Sequence, residues 1–402
     1  MSSSTKIPEA EVAPRLTFPL TTSLTAPLFP DQHLFSMASI PNLNTLRRGG
    51  PRLRGSRRGD RAIPENDDGG LLTPAQQEAA KDRVVQQTDG DASSSRLSAV
   101  ALGYLDDVYA QEFLQPGEQI PRRYPIINRG TYVRSTAIDQ LVKRFLQAEP
   151  TGRRQIISLG AGSDTRCLRL CRTRGDIVYH ELDFETNVTA KRAAFERSST
   201  LSDGLEELKR NGCEYHLHAV DLRDFASDSP PDLPGIDWSL PTLILSECCL
   251  CYLPPDQASG VLNYFTTRLT SSAGLVIYEP IRPFDAFGKT MVSNLASRGI
   301  HMQTLKRYSS LEAQRQRLRL AGFADGQGAR DVHQIWESDA WVEARERERV
   351  ERLEWLDEVE EWKLLASHYC VAWGRRGEVF GKAWGGVEGG RTRKEDLDDE
   401  MG

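Results

Sequence analysis

Ile156-Ile157-Ser158-Leu159-Gly160-Ala161-Gly162-Ser163-Asp164-Thr165 decides how this chain is read, as part of a strand, turn and helix over 155–169. Ile-Ile-Ser-Leu reads as a short buried strand, the two glycines as a turn, and the residues from Asp164 as a helix. Gly160 and Gly162 let the backbone turn tightly and approach a ligand that a Cβ would block. The helix that follows offers unpaired N–H groups at its positive end. A lone GxG is common in turns, so its surroundings must decide.

They point one way. Runs rich in Ile, Leu, Val and Tyr recur at 156–159, 177–182, 216–220, 243–245 and 275–278, each before a polar loop and with helical segments between. Such alternation implies parallel strands with crossover helices, hence an α/β, doubly wound, Rossmann-like sheet. Asp183 ends the second run, 23 residues after Gly160, the spacing at which an acid meets ribose hydroxyls in such folds. Asp221 ends the third run and Glu247 the fourth, where cofactor and substrate meet at the carboxyl edge. Each acid alone could be a helix N-cap. Together at successive strand ends they favour a nucleoside-type ligand. NAD competes, but Thr165 stands where its fingerprint has a third glycine, and its pyrophosphate favours a longer glycine loop. S-adenosyl-L-methionine has no phosphate. The pattern is that of a class I S-adenosylmethionine-dependent methyltransferase, in which Asp221 takes the position that contacts adenine.

Composition sets the bounds. The 402 residues are 39% apolar and 27% charged, with a net charge of −6, which argues against broad nucleic-acid binding. No run of 18 apolar residues is present, so no membrane span is expected. Residues 1–90 read as a disordered extension, 91–375 as the catalytic domain and 376–402 as a polar tail, loose from Gly386 onward. The first 64 residues hold eight prolines, and seven arginines fall between Arg47 and Arg61. That basic run reads as a solvated tail rather than a nucleic-acid contact or a mitochondrial presequence, which Glu9, Glu11 and Asp31 disfavour. Met37 is an alternative start. Order is expected from Thr73, an N-cap followed by proline. Helices are expected over 95–114, 131–147 and 338–365, and a last strand over 368–373. Seven cysteines, among them Cys167 and Cys171 four apart and Cys248, Cys249 and Cys251 in one apolar segment, show no zinc-site layout. They read as small buried hydrophobes in reducing surroundings, and no metal is expected.

Further segments carry a family resemblance: Asn128-Arg129-Gly130-Thr131-Tyr132-Val133-Arg134, Leu159 to Arg166, Tyr179-His180-Glu181-Leu182-Asp183-Phe184, and Ala219-Val220-Asp221-Leu222-Arg223-Asp224. Leu245-Ser246-Glu247-Cys248-Cys249-Leu250-Cys251-Tyr252-Leu253, Tyr278-Glu279-Pro280 with Asp285-Ala286-Phe287-Gly288, and Ser367-His368-Tyr369-Cys370-Val371-Ala372-Trp373 complete the series. In order and spacing they resemble the leucine carboxyl methyltransferase family over about 90–375. The resemblance implies a class I fold with an N-terminal helical cover and helical insertions. It implies methyl esterification of the C-terminal leucine of the protein phosphatase 2A catalytic subunit; a cytoplasmic monomer is expected. It further implies that Gly160, Asp183, Asp221, Leu222 and Glu247 line the cofactor site. Arg134 would grip the methionyl or the substrate carboxylate, with Arg96 and Arg129 as possible helpers, and Tyr252 would stand where the acceptor enters. His180 reads as structural.

Rival readings are a methyltransferase of the same superfamily acting on a small-molecule carboxylate or hydroxyl, and a non-catalytic S-adenosylmethionine-binding protein. A tRNA wybutosine-modifying relative would need a long appended propeller. The 29 residues after Trp373 show no repeat.

Overall fold

Strands that are apolar on both faces take the middle of the sheet, and the more polar ones take its edges. The computed structural model describes residues 73–388 except 115, 116, 118, 121, 150 and 171–173. The arginine run at 47–61, Met37 and Cys171 therefore lie outside the described residues. Strands β1 (Arg154–Leu159), β2 (Ile177–Asp183), β3 (Glu214–Ala219), β4 (Thr242–Glu247), β5 (Ala273–Pro280), β6 (Gly326–Asp331) and β7 (Tyr369–Arg376) form one sheet. Its order is β3-β2-β1-β4-β5-β7-β6. β1 to β5 are parallel, and β7 runs antiparallel between β5 and β6. Every residue of β1, β2 and β5 is buried, whereas β3 at the edge is half-exposed. The order switches direction between β1 and β4, and a crevice opens there at the carboxyl ends of the strands.

Twelve helices are described: α1 (Pro74–Ala101), α2 (Pro125–Gln147), α3 (Arg166–Leu170), α4 (Glu185–Arg197), α5 (Ser199–Arg210), α6 (Pro255–Arg268), α7 (Ala286–Ala296), α8 (Leu311–Leu320), α9 (Val332–Trp336), α10 (Ala344–Glu351), α11 (Val359–Ser367) and α12 (Glu378–Glu388). Core clusters flank the sheet. One gathers Val133, Leu141 and Phe145 of α2 with Tyr179, Val371 and Trp373. The other gathers Val261 and Phe265 of α6 with Ile157, Ile244 and Leu275. Thr73 caps α1 in a reciprocal box with Gln76, and a proline follows it, as its sequence predicts.

The structure moves several expected boundaries. α1 begins at Pro74, inside the stretch assigned to a disordered extension; it packs on α2 and has no apolar stripe to announce it. It stops at Ala101 rather than running to 114, since Gly103 adopts φ +79°. The helix expected over 131–147 starts earlier, at Pro125. The single helix expected over 338–365 is two, α10 and α11. Val350 is fully buried, yet Val359 is 44% exposed. Between them Glu354 turns in to accept a hydrogen bond from Asn128 Nδ2 at 2.8 Å. The polar tail assigned to 376–402 contains α12, whose Val379, Phe380, Ala383, Trp384 and Val387 are buried at helical spacing. Phe380 stacks on Phe145 at 4.5 Å, and Trp384 Nε1 donates to the Leu141 carbonyl at 3.0 Å. Strand β6 has no apolar run to announce it. Gly328 lies so close under the Trp373 ring that a Cβ there would come within 2.2 Å of it.

Candidate active site

At the crevice, the β1–α3 turn is set by its glycines. Gly160 has φ +64° and Gly162 φ +45°, both in the left-handed region. Space forbids a side chain at either. A Cβ on Gly160 would meet Cys249 Sγ at 2.6 Å, and one on Gly162 would meet Asp89 Oδ1 at 2.1 Å. Asp183, at the end of β2, accepts from the Gly162 N–H at 2.7 Å, the Phe184 N–H at 2.8 Å and Asn187 Nδ2 at 2.9 Å. Burial raises its carboxyl above the ordinary value, and these donors work against that rise. Asp221 follows β3 and caps the short turn Leu222–Ala226 by accepting from the Arg223 N–H at 2.9 Å.

Glu247, at the end of β4, sits between two guanidiniums: Arg134 Nε of α2, and Arg166 Nη1 of α3 at 3.0 Å. Burial alone would raise its pKa, but Arg134 and then Arg166 outweigh it and hold the carboxyl down at about 2. Arg166 also binds Asp139 and Asp164, each at 2.6 Å, and Arg169 reaches Asp139 at 2.7 Å. Asp107 takes Arg96 Nε at 2.6 Å and lies 3.4 Å from Arg169. Arg96, Arg134, Arg166 and Arg169 thus balance Asp107, Asp139, Asp164 and Glu247, so the network is rigid and near neutral. The Arg134 guanidinium also lies over the Tyr278 ring, 4.6 Å from its centroid, and Tyr278 stacks on Tyr369 at 5.7 Å.

All eight predicted site residues, Arg96, Arg134, Gly160, Asp183, Asp221, Leu222, Glu247 and Tyr252, line one cavity of about 240 Å³. Arg129 does not. It is packed against Trp336 and Trp362, 4.8 and 5.5 Å from their ring centroids, so the helper role considered for it is set aside. The cavity has a charged end at the strand termini and an apolar one formed by Val276, Tyr278, Val332, Trp362, Leu365 and Tyr369. Trp362 is buried, and its indole N–H takes no hydrogen-bond partner among the described residues.

A profile of the leucine carboxyl methyltransferase family matches residues 84–266. Leucine carboxyl methyltransferase 1 of Emericella nidulans is 52% identical over 390 residues, covering 88% of this chain and 98% of that protein. The chain belongs to the leucine carboxyl methyltransferase family. The Yarrowia lipolytica member is 46% identical, covering 73% of this chain and 97% of its own length, and the Arabidopsis thaliana homolog 38%, covering 72% and 88%. Among solved structures, the plantazolicin methyltransferase BpumL in complex with SAH is similar over 75% of this chain and 99% of that one. At 11% identity and a TM-score of 0.40, that likeness is too loose to bear on the fold.

This methyltransferase uses residues that its sequence motifs did not single out. Arg166 stands at the end of a quoted motif that also holds its partner Asp164, yet its other two carboxylate partners, Asp139 and Glu247, come from separate segments. α1 brings Asp89 onto the glycine turn, where it accepts from the Ser163 N–H at 2.8 Å and Ser163 Oγ at 2.9 Å. Asp82 of the same helix binds Arg223 Nη2 at 2.6 Å. The acids Glu78, Asp82 and Asp89 recur on one side of α1, a signal hidden by that helix's lack of an apolar stripe. The residues present fit S-adenosylmethionine. Seven acids line the cavity (Glu78, Asp82, Asp89, Asp164, Asp183, Asp221, Glu247) against five Lys and Arg, which suits a cationic sulfonium and ammonium better than a pyrophosphate.

Proposed function

We propose that this methyltransferase transfers a methyl group from S-adenosylmethionine to the α-carboxylate of the C-terminal leucine of the protein phosphatase 2A catalytic subunit. It would act as a cytoplasmic monomer with that subunit as its partner. One observation carries the reading. An apolar pocket lined by Val276, Val332, Trp362 and Leu365 adjoins an arginine whose Nε alone is engaged by hydrogen bonds among the described residues. A leucine side chain suits the pocket, and its carboxylate suits the Arg134 fork.

S-adenosylmethionine supplies a methyl carbon activated by a sulfonium. The other demands fall on the chain. A terminal carboxylate has a pKa of about 3.5 and is ionised near neutrality, so no general base is required. Arg134, fixed by Glu247 and Tyr278, would hold one carboxylate oxygen and leave the other free to attack. Because the surrounding network is balanced in charge, that grip orients the oxygen without suppressing its nucleophilicity. Alignment of this kind can supply roughly 7–11 kcal/mol of a barrier. Tyr252 lines the cavity together with Thr88 of α1, where it would border the acceptor's entry. Asp183 and Asp221 would take the ribose and adenine, with Leu222 against the base and Arg96 supporting the polar end.

The test is transfer of labelled methyl to the phosphatase subunit, with a version lacking the terminal leucine as control. The reading expects base-labile label that depends on that leucine. Label on neither protein, with cofactor bound, would favour a small-molecule acceptor. No cofactor binding at all would overturn the reading of the glycine turn.

A further inference from the structure

The strand end that supplies Glu247 continues as Cys248-Cys249-Leu250-Cys251, with Cys248 and Cys249 at the cavity and Cys251 behind them. Cys248 is half-buried and lines the cavity. Its backbone is held at φ +51°, a left-handed conformation that a non-glycine residue adopts only when its surroundings impose it. A short helical turn, Leu250–Tyr252, follows at once and carries Cys251 back towards Cys248. Cys251 is fully buried and does not line the cavity. Within that one turn the two thiols lie close enough to influence each other. The Cys251 thiol, and beyond it the Arg134 guanidinium, hold the Cys248 thiol below its ordinary value against the opposing effect of burial. Burial pushes Cys251 up. One sulfur at the cavity beside one buried sulfur is the arrangement of an attacking and a resolving cysteine. Cys249 is turned away from this pair, against Gly160.

We propose that Cys248 and Cys251 form a reversible intrachain disulfide on exposure to hydrogen peroxide, and that this bond switches off methyl transfer. The Cys248 sulfur attacks the O–O bond, giving a sulfenic acid and, with one proton, water. The Cys251 sulfur then attacks the sulfenic sulfur. The S–S bond forms, the S–O bond breaks, and the departing hydroxide takes the Cys251 proton to leave as water. Two thiols and one peroxide become one disulfide and two waters. Drawing the sulfurs to bonding distance, about 2.05 Å, displaces the residue next to Glu247 and disturbs the carboxylate that fixes Arg134. The effect on activity rests on the function proposed above, whereas formation of the bond does not.

The experiment treats the purified full chain with hydrogen peroxide and analyses it by non-reducing peptide mass spectrometry beside a methyl-transfer assay. Expected are a loss of about 2 Da, a peptide linked 248 to 251, and an activity drop on the order of a hundredfold that dithiothreitol reverses. C251A should keep its untreated activity, show no such mass loss, and trap dimedone at Cys248. Inactivation of the wild type without a 248–251 link would overturn the proposal. So would a C251A chain that is inactivated and rescued just as the wild type is. If no acceptor is methylated, the link still decides: its presence supports the bond, and its absence overturns it.

Discussion

The two walls of the cavity are built differently. The strand-end wall is set by backbone: glycines at positive φ, and acids that follow strands and accept from nearby N–H groups. The helical wall, from α1, α2 and α11, is set by side chains that reach across long sequence distances, as Arg134 reaches Glu247 and Asp82 reaches Arg223. A wall made by backbone carries its own geometry. A wall made by side chains depends on the network that ties it down, and Arg166 is the main tie, joining Asp139 of α2 to Asp164 and Glu247.

That contrast can be broken by mutation. Arg166→Met should have the largest effect, because it leaves three carboxylates without their shared cation. A loss of about 3–5 kcal/mol in chemical denaturation is expected, and an unchanged midpoint would show that the walls are not coupled through it. Arg134→Ala should come next, lowering kcat/KM by about 10- to 100-fold through lost alignment while stability falls less. Full turnover would remove the carboxylate grip. Arg223→Ala frees α1 from the β3 loop across partly exposed ion pairs, so stability should drop by less than about 1 kcal/mol. Its signature should be a modest rise in the KM for the cofactor with kcat held.

Near neutrality the smallest effect is that of pH, and it separates the two sides. His180 and His218 stack beside His216 on β2 and β3, with Glu214 and Arg192 as their charged neighbours. Burial, and then the neighbouring histidines, lower His180 to about 3; burial, then His216 and Arg192, lower His218 to about 4. Folded values below the unfolded one of about 6.5 mean that the unfolded chain binds more protons in acid. The stability is therefore complete above pH 6.5 and is lost as pH falls towards 4 and then 3. α1, α2 and α11 contain no histidine. Hydrogen exchange at pH 5 should rise on β3 before it rises on α2, and His180→Gln should flatten the dependence. Equal loosening of both would remove the distinction.

The same contrast explains what was legible in the sequence. Gly160, Asp183, Asp221 and Glu247 could be placed because each follows a strand, and strand ends converge in a doubly wound sheet. α12 was missed although its buried residues keep a helical period, because its polar surroundings masked it. Arg166 and Asp89 were not legible. Asp164 aside, their partners lie on separate segments, at spacings that no local period encodes. β6 was hidden because a glycine accommodates Trp373 where an apolar residue would have marked a strand. Arg129 looked like a carboxylate ligand by motif, and packing between two tryptophans gave it another task.

The most direct test of the two-wall account measures, in Asp183→Ala and Trp362→Ala, the dissociation constant for S-adenosylmethionine by calorimetry and the KM for the phosphatase subunit. The account predicts separation: Asp183→Ala weakens the cofactor by about 100-fold or more and leaves the acceptor KM near wild type, whereas Trp362→Ala does the reverse. Loss of both constants together in each variant, or an exchange of the two effects, would contradict it.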